Sequence, residues 1–268
     1  MYKAVFLDMD GTLLKSDHSV SELTIQTIQS LTNKGIPVIL VSARPLNAVL
    51  PTFRNIGLPA HYPIVTLNGS YIVEAEQPIF QAMVDLATTK DVTEAVRPFN
   101  ATIAYYLRKE WYSEVSDSWT DYEQRIMDVK IVTGPIDQLI KDWSERKIGP
   151  NKMMVMSQAE NISKIQTQLR KLYNGRLNIY PSKPTYPEVM DTTGSKSNAV
   201  RFISERLGLK PSEVIAMGDN YNDKEMIQFA GMGVAMGNAP DEIKAAADYI
   251  TDTNNNDGVR KALEKFFA

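Results

Sequence analysis

Two carboxylates follow the first apolar run of the chain, within Asp8-Met9-Asp10-Gly11-Thr12. Acids this close together need a cation, and aspartate with backbone oxygens suits Mg²⁺, which relies on one or two carboxylates plus a substrate phosphate. Glycine at position 11 lets the chain turn sharply. Since a pair of acids at a strand end is often only a solvated turn, a metal site needs support from other segments.

A second acidic segment, Gly218-Asp219-Asn220-Tyr221-Asn222-Asp223, provides that support. It follows another apolar run and stands at the start of a helical pattern, where the helix dipole favours an anion. Asp and Asn at a helix start also act as caps, and capping and ligation can coexist in the same residues. Two acidic segments of this kind favour a divalent cation over a solvated turn.

Candidate phosphate-binding groups lie in two further segments. Lys196 can supply positive charge, and Ser42 with the backbone amide of Ala43 can donate hydrogen bonds. The segment Gly194-Ser195-Lys196-Ser197 has a superficial likeness to a P-loop, but Val189 stands where that motif needs a glycine, which excludes a Walker A site. The alternative for Lys196 is a solvated surface lysine.

The fold must bring these segments together. Short apolar runs alternate with helical patterns at both ends of the chain, which is typical of parallel strands covered by helices on both faces. The predicted fold class is therefore α/β, with a mostly parallel sheet. Asp8, Ser42, Asn68 and Asp219 each stand at the carboxyl end of an apolar run, and ligands bind at that edge of such sheets.

The middle of the chain has a different pattern, a compact mixture of strands and helices that suits a domain inserted into a loop of its host. Strands are expected at Ile103 to Leu107, Met153 to Met156 and Leu177 to Tyr180, and another around Tyr186 to Met190. The predicted segments are a first core part at 1–82, an inserted α+β domain at 83–185 and a second core part at 186–268.

The inserted segment carries an aromatic and basic cluster, formed by Tyr105, Tyr106, Arg108, Trp111 and Tyr112. These side chains could contact a substrate when a lid closes. Packing within a small domain is the more common role of aromatic residues, and we favour it.

Composition excludes several classes of protein. The chain has 268 residues, 43% hydrophobic and 23% charged, as a folded globular protein does. A net charge of −3 provides no cationic surface for nucleic acid. The run from Ile36 to Val41 is far shorter than the ~18 residues that span a membrane. The absence of cysteine excludes thiolate chemistry. We therefore expect a cytoplasmic protein with neither a nucleic-acid nor a membrane partner.

Taken together, the motifs resemble those of the haloacid dehalogenase superfamily of phosphohydrolases. The resemblance rests on Asp8 to Thr12, Ser42, Lys196 and the segment Gly218 to Asp223. The long insert, together with Gly233 to Ala239, is similar to the Cof-like branch of the superfamily. The resemblance covers essentially the whole chain and implies a Rossmann-like core with helices on both faces and an inserted α+β cap.

The resemblance also implies roles for the matched residues. Asp8 would attack phosphorus and form an aspartyl-phosphate, and Asp10 would act as general acid and base. Mg²⁺ would be held by Asp8, the Asp10 carbonyl and Asp219, with Asp223 behind these ligands. Phosphoryl oxygens would be bound by the amides of Met9 and Ala43 and by the side chains of Ser42, Lys196 and Asn222. Ala43 departs from the branch, which usually has glycine there, because alanine keeps the amide but adds a methyl group.

The predicted function is hydrolysis of phosphomonoesters of small metabolites, with sugar phosphates as the expected substrates. Asp10 favours hydrolysis because dehalogenases of the superfamily lack this second acid and pump ATPases carry threonine there. Two alternatives remain open at this level. A phosphosugar mutase would return the phosphoryl group to its substrate, and a phosphometabolite-binding regulator would bind without turnover.

Overall fold

A computed structural model describes residues 1–127, 129–183 and 185–267. The strands are β1 (Ala4–Asp8), β2 (Val38–Val41), β3 (Ile64–Thr66), β4 (Tyr71–Glu74), β5 (Gln77–Gln81), β6 (Thr102–Leu107), β7 (Glu110–Ser113), β8 (Ile131–Thr133), β9 (Lys152–Met156), β10 (Leu177–Lys183), β11 (Tyr186–Asp191), β12 (Val214–Gly218), β13 (Met232–Ala235) and β14 (Tyr249–Ile250). The helices are α1 (Glu22–Asn33), α2 (Leu46–Ile56), α3 (Leu86–Val96), α4 (Ser118–Met127), α5 (Ile136–Glu145), α6 (Ala159–Tyr173), α7 (Lys196–Arg206), α8 (Lys224–Phe229), α9 (Asp241–Ala245) and α10 (Gly258–Phe267).

The chain divides into two units, and the predicted α/β class is confirmed. The first unit comprises residues 1–43, 49–79 and 195–268, and the second comprises residues 44–48 and 80–194. The predicted insert ends at residue 185, whereas the second unit extends to residue 194. The difference is strand β11, which pairs with β10 and β9 of the second unit.

The first unit is built on a sheet with the strand order β14-β13-β12-β1-β2-β3-β4-β5 in the described part of the chain. Strand β1 lies at its centre and pairs in parallel with β12 and β2. Every residue of β1, β2 and β12 is buried, because parallel strands covered on both faces need apolar side chains on both. The mostly parallel sheet is confirmed, with β3 and β4 as an antiparallel pair.

Helix α1 begins at a different cap from the one that the sequence suggests. Spacing favours a capping box between Ser19 and Glu22, but this prediction is wrong. Ser21 is the N-cap, with extended backbone at φ −68° and ψ 147°, and its hydroxyl accepts from the amide of Thr24 at 3.2 Å. Ser19 instead donates from its amide to the Asp17 carboxylate at 2.9 Å.

The second unit is built on a sheet with the order β10-β11-β9-β6-β7-β8 among the described residues. Helices α3, α5 and α6 contribute buried residues to one hydrophobic core with this sheet. Trp143 of α5 is fully buried there, with its ring centroid 5.5 Å from that of Tyr105 and 5.3 Å from that of Tyr112. Tyr106 and Trp111 stack on each other at 5.7 Å. The packing interpretation of these four aromatic residues is thus confirmed.

Both histidines of the chain, His18 and His61, are exposed. No helix in the described ranges is both long enough and apolar enough to cross a bilayer.

Candidate active site

The carboxyl edge of the first unit's sheet gathers the residues that the sequence analysis selected. Asp8 is the last residue of β1, Ser42 follows β2, and Asp219 follows β12. Because β12, β1 and β2 are adjacent and parallel, their carboxyl ends meet at one edge. The order of connections reverses around β1, and such a switch point is where ligands bind in open α/β sheets.

Lys196 is the cation of this edge. It is the first residue of α7, a helix that Ser195 caps by accepting from the amide of Asn198 at 3.0 Å. Lys196 is 2% exposed, and its ammonium group donates to Oδ1 of Asp8 and to Oδ1 of Asp223, each at 2.5 Å. A solvated surface lysine is therefore excluded.

Both carboxylate oxygens of Asp223 are engaged by the protein. Oδ1 accepts from Lys196. Oδ2 accepts from the backbone amides of Asp219 and Asn220, at 3.0 and 2.9 Å. Gly218 makes this approach possible, because a Cβ at that position would lie 2.4 Å from the Cβ of Asp223. Asp223 therefore fixes the loop that carries Asp219.

Asp219 is held from the other side by the turn after β1. The hydroxyl of Thr12 donates to Oδ1 of Asp219 at 3.0 Å. A Cβ at Gly11, which has φ +81°, would lie 2.3 Å from Oδ2 of Asp219. The side-chain amide of Asn238 donates to the carbonyl of Gly11 at 2.9 Å and so supports the turn. Residues more than 200 positions apart thus fit closely around one carboxylate.

The three carboxylates at this edge repel one another. An oxygen from each of Asp8, Asp219 and Asp223 lies within 4.8 Å of the others. Burial and then repulsion by Asp223 hold the pKa of Asp8 well above its usual range, against the opposing effect of Lys196. The same two causes raise the pKa of Asp219 to about 6. Burial alone would lower the pKa of Lys196, but Asp223 and Asp8 hold it above its ordinary value.

This surplus of negative charge fits a divalent cation. An oxygen of Asp8 and an oxygen of Asp219 lie within 4.8 Å of each other. A hard cation such as Mg²⁺ would offset their repulsion and use two carboxylates, which is the number it commonly takes from a protein. Asp223 is the poorest ligand of the three, because its oxygens are already occupied.

Between Asp8 and Thr12 the chain makes a tight turn. Met9 is fully buried, and its carbonyl accepts from the amides of Thr12 and Leu14, at 3.3 and 2.8 Å. Asp10 is exposed and forms an isolated bridge with Leu14. The turn therefore separates a buried carboxylate at position 8 from an exposed one at position 10, although only one residue lies between them.

Ser42 and Asn68 link the ends of β2 and β3. Ser42 is fully buried, its amide donates to the carbonyl of Val65, and its carbonyl accepts from the amide of Asn68, both at 2.9 Å. Ala43 beside it is half-buried. Oδ1 of Asn68 accepts from Nδ2 of Asn222 at 2.9 Å, which ties this region to the second acidic segment.

The candidate site residues given by the sequence analysis omit three that the structure includes. Thr12 and Asn238 position the Asp219 side, and Asn68 contacts Asn222. Each had a signal in the sequence: Thr12 and Asn238 belong to the quoted motifs, and Asn68 stands at a strand end. Nothing in the local sequence gives their partners, which are between 154 and 227 residues away.

Comparisons with known proteins show the family of the chain. A family model described as haloacid dehalogenase-like hydrolase matches residues 5–263. A Haemophilus influenzae protein named "Putative phosphatase" is 36% identical over 274 residues, covering 100% of this chain and 99% of the relative. The 5-amino-6-(5-phospho-D-ribitylamino)uracil phosphatase of Bacillus subtilis is 30% identical over 266 residues, covering 97% and 94%. The crystal structure of a haloacid dehalogenase-like hydrolase from Bacteroides thetaiotaomicron has a TM-score of 0.89 and 30% identity, with full coverage of both chains.

Proposed function

Since this chain belongs to the haloacid dehalogenase-like hydrolases and is a phosphoric monoester hydrolase, we propose that it is a Mg²⁺-dependent phosphatase of small phosphorylated metabolites, sugar phosphates in particular. One observation carries the proposal: a buried lysine in contact with two of three clustered carboxylates, at the carboxyl edge of a parallel sheet. Such a cluster suits a cation and a phosphate together.

Asp8 is the proposed nucleophile. Its carboxylate attacks phosphorus, so that an Asp8 oxygen–phosphorus bond forms while the bond to the ester oxygen breaks. Asp10 gives its proton to the leaving oxygen in this step. In the second step Asp10 takes a proton from water, the water oxygen attacks phosphorus, and inorganic phosphate leaves a regenerated Asp8. The exposed position of Asp10 is compatible with proton exchange with solvent.

The residues that would hold Mg²⁺ are Asp8, Asp219 and the backbone carbonyl of Asp10. When bound, the ion offsets negative charge on the transferring phosphoryl group. Asp223 stays outside this set in the proposal, because its two oxygens already accept from Lys196 and two backbone amides. Its part is to orient Lys196 and the loop of Asp219.

The proposed phosphate-binding groups are the amides of Met9 and Ala43 and the side chains of Ser42, Lys196 and Asn222. Lys196 contributes positive charge, and the others contribute hydrogen-bond donors. Preorganised donors of this kind supply much of the catalysis in phosphoryl transfer, where positioning and electrostatics dominate. The methyl group of Ala43 narrows the space beside its amide without removing the donor.

The substrate class is supported by a relative whose name gives its substrate. The Bacillus subtilis relative is named for a phosphorylated ribitylamino compound, a small polyhydroxylated phosphomonoester. We extend that chemistry to this chain as small phosphorylated metabolites with hydroxyl groups. The assignment of residues 83–185 as a substrate-selecting cap stays a prediction, as does the cytoplasmic location.

The proposal is tested by measuring phosphate release with and without Mg²⁺ across sugar phosphates, nucleotides and small phosphoesters, with Asp8→Asn as the matched inactive variant. We expect Mg²⁺-dependent release that Asp8→Asn abolishes, with sugar phosphates ranked first. Formation of an isomer without phosphate release would favour a phosphosugar mutase. Tight binding with neither reaction would favour a regulator that binds phosphometabolites.

A further inference from the structure

The turn that follows β3 has an unusual backbone. Leu67, Asn68 and Gly69 are consecutive residues in the left-handed region, with φ of +50°, +55° and +90°. Asparagine tolerates this conformation better than most residues, but a leucine seldom adopts it. Strain of this kind persists only where the surroundings determine it, and it clusters at functional sites.

The surroundings of this turn are residues of the proposed phosphate site. The amide of Asn68 donates to the carbonyl of Ser42 at 2.9 Å. Gly69 lies directly against the backbone of Ser195, since a Cβ at Gly69 would be 2.2 Å from the Ser195 carbonyl oxygen. Ser195 is the cap that immediately precedes Lys196. The turn therefore packs between two of the segments that the proposed function assigns to phosphate.

The side chain of Asn68 reaches a third such segment. It is 1% exposed, and its Oδ1 accepts from Nδ2 of Asn222 at 2.9 Å. An amide nitrogen carries two hydrogens, so the contact uses one and leaves the second to donate elsewhere. Oδ1 of Asn222 is buried without a hydrogen-bond partner among the described residues. Among the described residues, Asn68 is thus the hydrogen-bond acceptor that fixes the orientation of the Asn222 amide.

We propose that Asn68 is a positioning residue for phosphate binding, whose side-chain carbonyl holds the Asn222 amide with an N–H directed at a phosphoryl oxygen. The orientation matters because a phosphoryl oxygen needs a donor, and a reversed amide would present its carbonyl oxygen instead. This inference rests on the proposed function, in which Asn222 binds phosphate.

A purely structural role for Asn68 is the competing explanation, and Asn68→Gly separates the two. Glycine adopts positive φ without strain, so this variant keeps the turn and removes only the carboxamide. Asn100→Gly is the matched control. Asn100 is also a left-handed asparagine, with φ +48°, but it is exposed and lies in the second unit.

The experiment is a double-mutant cycle of Asn68→Gly and Asn222→Ala with p-nitrophenyl phosphate and Mg²⁺. We expect Asn68→Gly to raise KM about 10-fold with a smaller change in kcat, as the loss of a well-aimed donor to an anion does. The double variant should be no worse than Asn222→Ala alone, because Asn68 acts through Asn222. Asn100→Gly should stay within about twofold of the wild type.

Two kinetic results would overturn the inference: multiplicative losses in the double variant, or a wild-type KM in Asn68→Gly. Failure of the proposed function gives a different pattern, in which the wild-type protein releases no more phosphate than Asp8→Asn. In that case the four proteins of the cycle, which are the wild type, Asn68→Gly, Asn222→Ala and the double variant, are titrated with inorganic phosphate by calorimetry. Weaker binding in Asn68→Gly that is not additive with Asn222→Ala supports the inference, and unchanged or undetectable phosphate binding contradicts it.

Discussion

Two buried lysines, one in each unit, have different surroundings. Lys152 of β9 is 1% exposed and forms an ion pair with Glu188 of the neighbouring strand β11 at 2.9 Å. Lys196 is 2% exposed and forms ion pairs with both Asp8 and Asp223, while Asp219 completes a cluster of three carboxylates. Among the described ion pairs, Lys152 forms one with Glu188, whereas Lys196 forms two and lies beside a third carboxylate.

The number of carboxylates around a buried lysine separates a structural ion pair from a ligand site. A buried charge is costly, and one opposite charge with good geometry offsets most of that cost. In a cluster with surplus negative charge, repulsion among the carboxylates is only partly offset by the lysine, and a bound cation would offset the rest. Burial of a lysine therefore does not by itself indicate a cation-binding site, whereas a surplus of carboxylates around the lysine does.

Replacing each lysine by methionine tests the difference between Lys152 and Lys196 and should give the largest change in activity. Lys196→Met should lower kcat/KM for phosphate release by about 10²–10³-fold, since one preorganised charge at a transition state has that effect. Lys152→Met should leave kcat/KM within about twofold, provided the assay temperature is below its unfolding midpoint. Steady-state kinetics on both purified variants decides the matter, and equal losses in the two would contradict the distinction.

The structural pair predicts a stability effect instead. Lys152→Met removes the ammonium group that pairs with the buried carboxylate of Glu188, which should lower the free energy of unfolding by about 3–5 kcal/mol. Replacing both residues by methionine should recover most of the loss, since a well-packed apolar pair often equals a buried ion pair. Urea unfolding of the three proteins measures this, and a double variant as unstable as the single one would refute the explanation.

A substitution at Gly11 tests how closely the turn after β1 must fit against the carboxylate of Asp219. An added Cβ at Gly11 would meet Asp219, whereas one at Gly35, which has nearly the same φ of +80°, would meet nothing within 4 Å. Alanine should therefore strain the backbone by a similar amount at both positions. Only Gly11→Ala should weaken Mg²⁺ binding, by about tenfold or more. Calorimetric titration of both variants with Mg²⁺ compares them, and equal affinities would rule out the steric account.

The smallest effect concerns pH. Because burial and Asp223 raise the pKa of Asp219 to about 6, protons compete with Mg²⁺ as the pH falls through that value. Affinity for Mg²⁺ should weaken by about tenfold in total between about pH 7 and 5 for one displaced proton, because a group with a pKa near 6 gains most of its proton in that range. The metal-free protein has the opposite trend at this residue: its native state binds more protons than the unfolded state between the two pKa values, so acidification stabilises it there. A Mg²⁺ affinity that is flat over this range would contradict the prediction.

The placement of the candidate residues at one edge of the sheet could be predicted, because it depends on local patterns. Asp8, Ser42 and Asp219 each follow an apolar run, and parallel strands bring such ends together. The structural pair of Lys152 and Glu188 had no comparable signal, because its members are 36 residues apart and meet only through the pairing of β9 with β11. The same pairing places β11 in the second unit beyond the predicted boundary at residue 185.

Local competition explains the remaining difference at α1. Ser19 and Glu22 have the spacing of a capping box, but Asp17 captures the amide and hydroxyl of Ser19, at 2.9 and 2.6 Å. Ser21 then becomes the cap. Ser19 and Ser21 are the same residue type and have the same intrinsic capping preference. Which of them caps α1 therefore depends on the loop that precedes the helix rather than on helix propensity.

We propose that the surplus of carboxylates around Lys196 is a Mg²⁺ site and that the ion pair of Lys152 is not. Titration calorimetry of the metal-stripped protein with Mg²⁺ near pH 7.5 tests it most directly, with Asp219→Asn and Lys152→Met as the two variants. We predict one Mg²⁺ per chain in the wild type and in Lys152→Met, and at least a tenfold loss of affinity in Asp219→Asn. Equal Mg²⁺ binding by the wild type and Asp219→Asn would contradict the account.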